Sequence, residues 1–394
     1  MELKKFASFA GLFLLPALGY SLDFQPVVDL DLRGGYANVV GSTSSGLGLG
    51  NLFVVPALSL SDSTLLLPNI YANASGQERS IEEDTVFVRT LLYGFKPVLK
   101  YKYSSSTTLL ARVDIKHNYD IQALGESFGT GLYDYEEYGG GVGADFATLL
   151  PVPFSLGLDY SHRSYPNYRN QNPTNPVLAA ALGSKDYYFK DFWDLKPSLK
   201  ADLGPIGRFD LALQVRSYPD SYLYAQDLTI PVNPGTLQRD YLVTADLKGG
   251  MALTKEWMLL WSFSEMDNSS NMGSVDTTAN RFFADSESYS AFTVSPGLQW
   301  QGELWGASLA YSAVFRNLNR PIQNSDGSYA DGMIADIEHG INAEIRRKLA
   351  YHISAVLGGS YRLVRSNQEA TTAGLPNYAF YNINAGLQWQ WQKQ

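Results

Sequence analysis

The chain has no cysteine in 394 residues and only 4 histidines. The first absence excludes disulfides, thiolate metal sites and a thiol nucleophile. The second leaves little from which to build a His-based metal or catalytic centre. Charged residues are sparse, at 18%, and the formal net charge is −9. That balance argues against a general nucleic-acid binder. Beyond Phe6 to Leu18 no apolar run approaches the length of a transmembrane helix. Helical membrane spans are therefore excluded.

What the chain does have is aromatic rings and period-two patterning. There are 26 Tyr, 19 Phe and 7 Trp. In the last segment, Tyr381, Ile383, Ala385, Leu387, Trp389 and Trp391 fall on one face. Asn382, Asn384, Gly386, Gln388, Gln390 and Gln392 fall on the other. Alternate side chains of a strand point to opposite sides, so the segment predicts one oily wall and one wet wall. At the N-terminus, Lys4 and Lys5 precede the short apolar run and Gly19-Tyr20-Ser21 follows it. Charge, apolar core and small residues is the layout of a secretory signal peptide. Residues 1–21 are expected to be that signal, and 22–394 a single barrel.

Two kinds of connection separate the alternating segments. Some are short, such as Ser61-Asp62-Ser63 and Gly204 to Gly207; others are long and polar, such as Gly41 to Gly50, Ser75 to Asp84, Arg169 to Lys185, Asp267 to Asp285 and Asn319 to Gly332. Short turns at one end and long loops at the other is how bacterial barrels are built. One template recurs at Pro56-Ala57-Leu58, Pro97-Val98-Leu99, Pro197-Ser198-Leu199, Pro296-Gly297-Leu298 and Ala385-Gly386-Leu387. It predicts five descending strands in one register, with a local bulge at each proline.

The fold class that follows is all-β: a closed antiparallel up-and-down transmembrane β-barrel. Strands are expected near 24–38, 51–60, 64–72, 85–103, 108–122, 131–149, 153–166 and 184–202. The rest fall near 206–217, 238–252, 255–265, 286–302, 304–317, 333–348, 351–365 and 378–392. That makes sixteen. The pair at 51–60 and 64–72 has the weakest alternation, so fourteen is the alternative.

Phe209, Leu211, Leu213 and Val215, with Tyr241, Val243, Ala245, Leu247 and Met251, are expected to face lipid. Trp257, Trp300, Trp305, Tyr351, Trp389 and Trp391 lie near short turns or the C-terminus. Tyr133, Tyr138, Tyr165, Tyr187, Tyr218, Tyr289 and Tyr361 lie nearer long loops. The two groups predict aromatic belts at the two membrane interfaces.

On these features the chain resembles the Gram-negative outer-membrane β-barrel proteins, and porins more loosely, over nearly all of residues 22–394. The resemblance implies an outer-membrane location, with outer-membrane lipids, the barrel-assembly machinery and small polar solutes as partners. It implies no cofactor and leaves a homo-oligomer open. Such proteins commonly end in an aromatic residue, whereas here Trp391 is followed by Gln392-Lys393-Gln394.

The inner faces carry the candidate functional residues. Arg112, Lys116, Arg163, Arg216, Arg316 and Arg362 are expected to point inward, with Asp194, Asp246, Glu338 and Glu344 among the facing acids. Arg163, Arg216, Arg316 and Arg362 lie roughly 30 to 40 Å along their strands, at ~3.3 Å per residue, and are expected to form a basic band in the upper lumen. Across a water-filled pore such groups filter polar solutes by charge and shape. Paired with neighbouring acids, they would instead brace a plugged scaffold. A conduit for polymer export is a further alternative. His117, His162 and His339 are placed on the lipid side, and His352 inward by a turn; their scatter points to no enzyme. The Gly139-Gly140-Gly141-Val142-Gly143 run lacks the Lys and Ser/Thr of a phosphate loop and reads as close backbone approach within a strand.

Overall fold

The computed structural model describes residues 24–39, 45–81, 84–121, 129–147, 152–168, 190–223, 235–276, 281–324, 326–368 and 377–392. The expected signal peptide and Tyr187 lie outside them. The first strands are β1 (Phe24–Val39), β2 (Ser45–Ser61), β3 (Thr64–Ile81), β4 (Asp84–Lys102), β5 (Thr107–Ile121) and β6 (Tyr135–Phe146). They continue as β7 (Phe154–Ser164), β8 (Phe192–Asp202), β9 (Arg208–Tyr222), β10 (Leu237–Ala252), β11 (Trp257–Ser270), β12 (Ser274–Asp276) and β13 (Arg281–Phe283). The last are β14 (Tyr289–Gln301), β15 (Trp305–Gln323), β16 (Tyr329–Ala350), β17 (Ile353–Ser366) and β18 (Tyr378–Gln392). β12 and β13 pair only with each other; the other sixteen close into one antiparallel barrel, with β1 against both β2 and β18.

The alternation read from the sequence sets the two walls. Leu32, Leu211, Leu309, Ile353, Leu387 and Trp389 each leave more than a third of their surface exposed, on the outside of the barrel. The buried apolar residues among those described are only Ala37, Ile121, Phe192, Ala313, Ile334 and Val356. A water-soluble fold of this length needs an apolar core. Here the apolar residues face outward, and a closed barrel satisfies its backbone groups without water. On the inner side of the closing strand, Asn384 receives Arg33 at 3.4 Å, and Gln388 and Gln390 donate to Asp29 at 3.1 and 2.9 Å.

Short turns use local acceptors and glycine. Asp202 Oδ1 accepts the Gly204 amide at 3.0 Å, and Thr254 Oγ1 accepts the Glu256 and Trp257 amides at 3.2 and 3.1 Å. Gly204 and Gly207 adopt φ of 62° and 124°, backbone states that favour glycine.

Several expectations change at the long-loop end. Four segments expected as loops are partly strand: β2 begins at Ser45, β3 runs to Ile81, β11 to Ser270 and β15 to Gln323. Past the lipid boundary the apolar period fades, but backbone N–H and C=O groups still need partners and the ladder continues. The prolines do not make bulges. At Pro97 the β4–β5 ladder lapses between Phe95↔Ile115 and Val98↔Arg112 and resumes in the same register. Pro56, Pro197 and Pro296 do the same toward β3, β9 and β15. The cause is the missing N–H, aimed each time at the following strand.

Candidate functional site

The inner faces of β4 to β9 carry a connected set of charges. Lys96 lies 3.3 Å from Asp114, and Lys116 sits between Asp114, at 3.7 Å, and Glu137. Glu137 also accepts Arg163 Nη2 and Nε at 2.6 and 2.9 Å. Its side chain is 8% exposed. On the next row, Arg112 reaches over β6 to pair with Asp159 on β7.

Glycine makes that reach possible. A Cβ on Gly141 would lie 2.1 Å from Asp159 Oδ1 and 3.0 Å from Arg112 Nε. The glycine run therefore acts in a strand, as close approach of a side chain to bare backbone. Gly141→Ala is expected to displace the Arg112–Asp159 pair and cost about 1–3 kcal/mol, the usual penalty for overpacking, measured as a lowered urea midpoint of the lipid-embedded barrel. An unchanged midpoint would show that the pair has room to move.

Above this row the charges become layered. The Arg163 guanidinium lies 4.3 Å from the Tyr135 ring and 5.1 Å from the Phe192 ring. Arg216 covers Phe192 at 4.1 Å and pairs with Asp194 at 3.2 Å. Gln214 donates to the same Asp194 at 2.7 Å. Tyr218 packs 5.5 Å from Phe192 and donates to Asp240 at 2.9 Å. Phe192, 4% exposed, is thus held between two guanidiniums on the luminal face.

The ten residues expected to line the interior all sit on inward rows, but they do not form one band. Arg112, Lys116, Arg163, Asp194 and Arg216 gather on β5 to β9. Arg362 pairs with Glu338 at 2.9 Å across β16 and β17. Glu344 holds Arg33 at 2.8 Å and Arg346 at 2.7 Å, and Asp246 lies 3.8 Å from Lys248. Arg316, opposite Asp336 in the ladder, makes no ion pair with any described residue. Sequence reasoning missed Arg33, legible as an inward position beside Asp29 and Asp31, and Phe192, whose apolar side chain carried no inward signal.

The upper belt also needs correction. Tyr165, Tyr218 and Tyr289 face the lumen: Tyr165 lies against Tyr135 at 5.6 Å, Tyr218 bonds Asp240, and Tyr289 donates to Met266 at 3.4 Å. Tyr138 and Tyr361 do lie on the outer wall as expected, joined there by Tyr160 and Trp193, with His162 stacked 3.9 Å from Trp193 and His117 5.2 Å from Tyr93. His162 faces away from Asp159 and Ser161, so the three cannot meet.

One loop base is tied by a buried carboxylate. Asp134 accepts the Asp120 amide at 2.6 Å and the Gly131 amide at 3.1 Å. Burial pushes its carboxyl up from the ordinary value, and the amide donors oppose that. Asp134→Ala is expected to raise hydrogen exchange at both amides, at a local cost of about 1–3 kcal/mol for the donors left bare. Unchanged exchange there would show that the tie is not what holds the loop.

No protein-family model and no curated protein matches the chain. Among solved structures it is similar to OmpF of Salmonella typhi, in a complex with daunomycin, at 12% identity, covering 93% of this chain and 97% of that one, TM-score 0.47. It is also similar to Acinetobacter baumannii OccAB1, at 8% identity with 93% and 97% covered, TM-score 0.46. A structure described as a bacterial polysaccharide outer membrane secretin gives 9% identity, 93% and 98% covered, TM-score 0.44. At these values the likeness carries nothing about the solute.

Proposed function

We propose that the chain is an outer-membrane β-barrel that conducts small hydrophilic solutes passively through a charged, water-filled lumen. The observation that carries this is the wet interior. The inward side chains of Lys96, Asp159 and Arg362, all away from the short-turn rim, remain 41%, 36% and 55% exposed. A sixteen-stranded barrel is wide enough for an aqueous channel. The inward charges tune passage; no covalent chemistry takes part.

Liposomes carrying the protein should swell in small polar solutes, with rates falling steeply as solute size rises. A second reading is a plugged scaffold or surface binder. It draws on the ion pairing of Arg112, Arg163, Arg216 and Arg362, which would brace a closed interior equally well. No swelling with any solute, from a folded barrel, would favour it.

A further inference from the structure

Two polar cavities lie side by side on the luminal wall, and both include Gln214. One has a volume of about 270 Å³ and reaches from Lys96 to Lys196; the other, about 240 Å³, reaches from Arg216 to Tyr289. Each is slightly smaller than the roughly 300 Å³ at which drug-sized ligand clefts begin. Each therefore suits a single small ring or chain.

Their charges cancel. The cations are Lys96, Arg112, Lys116, Arg163, Lys196 and Arg216; the acids are Asp114, Glu137, Asp159, Asp194, Asp240 and Glu287. Most are already paired: Asp114, Glu137, Asp159 and Asp194 each hold at least one cation. Lys196 and Asp240 make no ion pair among the described residues, one charge of each sign, so a solute of either sign gives up water against a wall with no net counter-charge, which is costly in a confined space.

The amides offer something different. Gln214 donates its N–H to Asp194 at 2.7 Å, and Asn268 donates to the Glu287 carbonyl at 2.9 Å. Neither amide oxygen has a donor among the described residues. Tyr218 and Tyr289 add ring faces beside them. Neutral acceptors, balanced charge and aromatic surface suit hydroxyl groups on a compact carbon frame.

Resting on the channel reading above, we propose that this shelf is a transit subsite for uncharged polyhydroxylated solutes of single-sugar size. Gln214 and Asn268 accept the solute hydroxyls, and the neutral charge balance discriminates against ionic analogues.

The test uses three probes of matched size: glucose, gluconate and glucosamine. In liposome swelling, glucose should enter several times faster than either ion. Asn268→Ala with Gln214→Ala should slow glucose about fivefold for each neutral hydrogen bond lost, about 25-fold together, while leaving glycine entry unchanged. Asn268→Ser serves if the double variant fails to fold. Saturation-transfer NMR of glucose on the detergent-solubilised barrel supplies a second readout, independent of conduction. Transfer to glucose that the variants abolish supports the subsite. Gluconate or glucosamine entering as fast as glucose overturns it, as does glucose entry indifferent to the variants. Failure of every solute to enter would defeat the channel reading instead, and the NMR signal would then decide the subsite: its presence supports it and its absence overturns it.

Discussion

Glu137→Gln is expected to make the channel markedly more anion-selective and less stable. Glu137 is the carboxylate that Lys116 and Arg163 share. Neutralising it leaves Arg163 without an acid partner among the described residues, and Lys116 with only Asp114 at 3.7 Å among them. One uncompensated positive charge then faces the lumen. Removing one partner of a fully buried pair costs about 3–5 kcal/mol. Lys116 and Arg163 are 24% and 26% exposed, so solvent screening brings the expectation down to about 1–3 kcal/mol. Reversal potentials under a salt gradient read the selectivity, and urea midpoints in lipid read the stability. A reversal potential identical to that of the parent would mean the ion pairs lie off the conducting path.

Phe192→Ala should have the second large effect, on conductance and on the freedom of two arginines. Phe192 separates Arg163 and Arg216, at 5.1 and 4.1 Å. Each cation–π contact contributes about 0.5–1 kcal/mol where water has access, and Phe→Ala in a packed site costs about 3–5 kcal/mol. A space opening onto the lumen fills with water, so the lower end is expected. The conducting area widens and both guanidiniums gain room to turn. Conductance should rise, and Arg163 and Arg216 should react faster with phenylglyoxal when the modified peptides are mapped by mass spectrometry. Phe192→Leu, which keeps some of the bulk, should lie between. Higher conductance with unchanged arginine reactivity would show that Phe192 only fills space.

Much of the fold was readable because lipid imposes a strict rule on the outer wall. Leu211 and Leu213, Leu309 and Tyr311, and Leu387 and Trp389 each recur at every second position of their strands, and all six are exposed on the outer wall. The prolines misled because an isolated sequence cannot show which neighbour a missing N–H faces. The partner's unbroken register answers that at Pro97. The rims were less legible. Tyr165 and Tyr218 lie near the long loops, but they share the parity of inward Arg163 and Arg216, and their hydroxyls find luminal partners in Arg163 and Asp240.

The inward charges were legible as types and not as pairs. Arg112 meets Asp159 two strands away, over Gly141, and Arg33 meets Glu344 from the far end of the chain. Nothing in the local spacing encodes contacts across a closed barrel. Strand pairing creates the first, and closure of β1 on β18 creates the second.

The most direct measurement is single-channel conductance of the membrane-purified barrel in a planar bilayer, with heat-modifiable migration confirming the fold. An open lumen predicts stable ohmic steps whose selectivity changes when Glu137 is neutralised. Silence from a demonstrably folded barrel would contradict it.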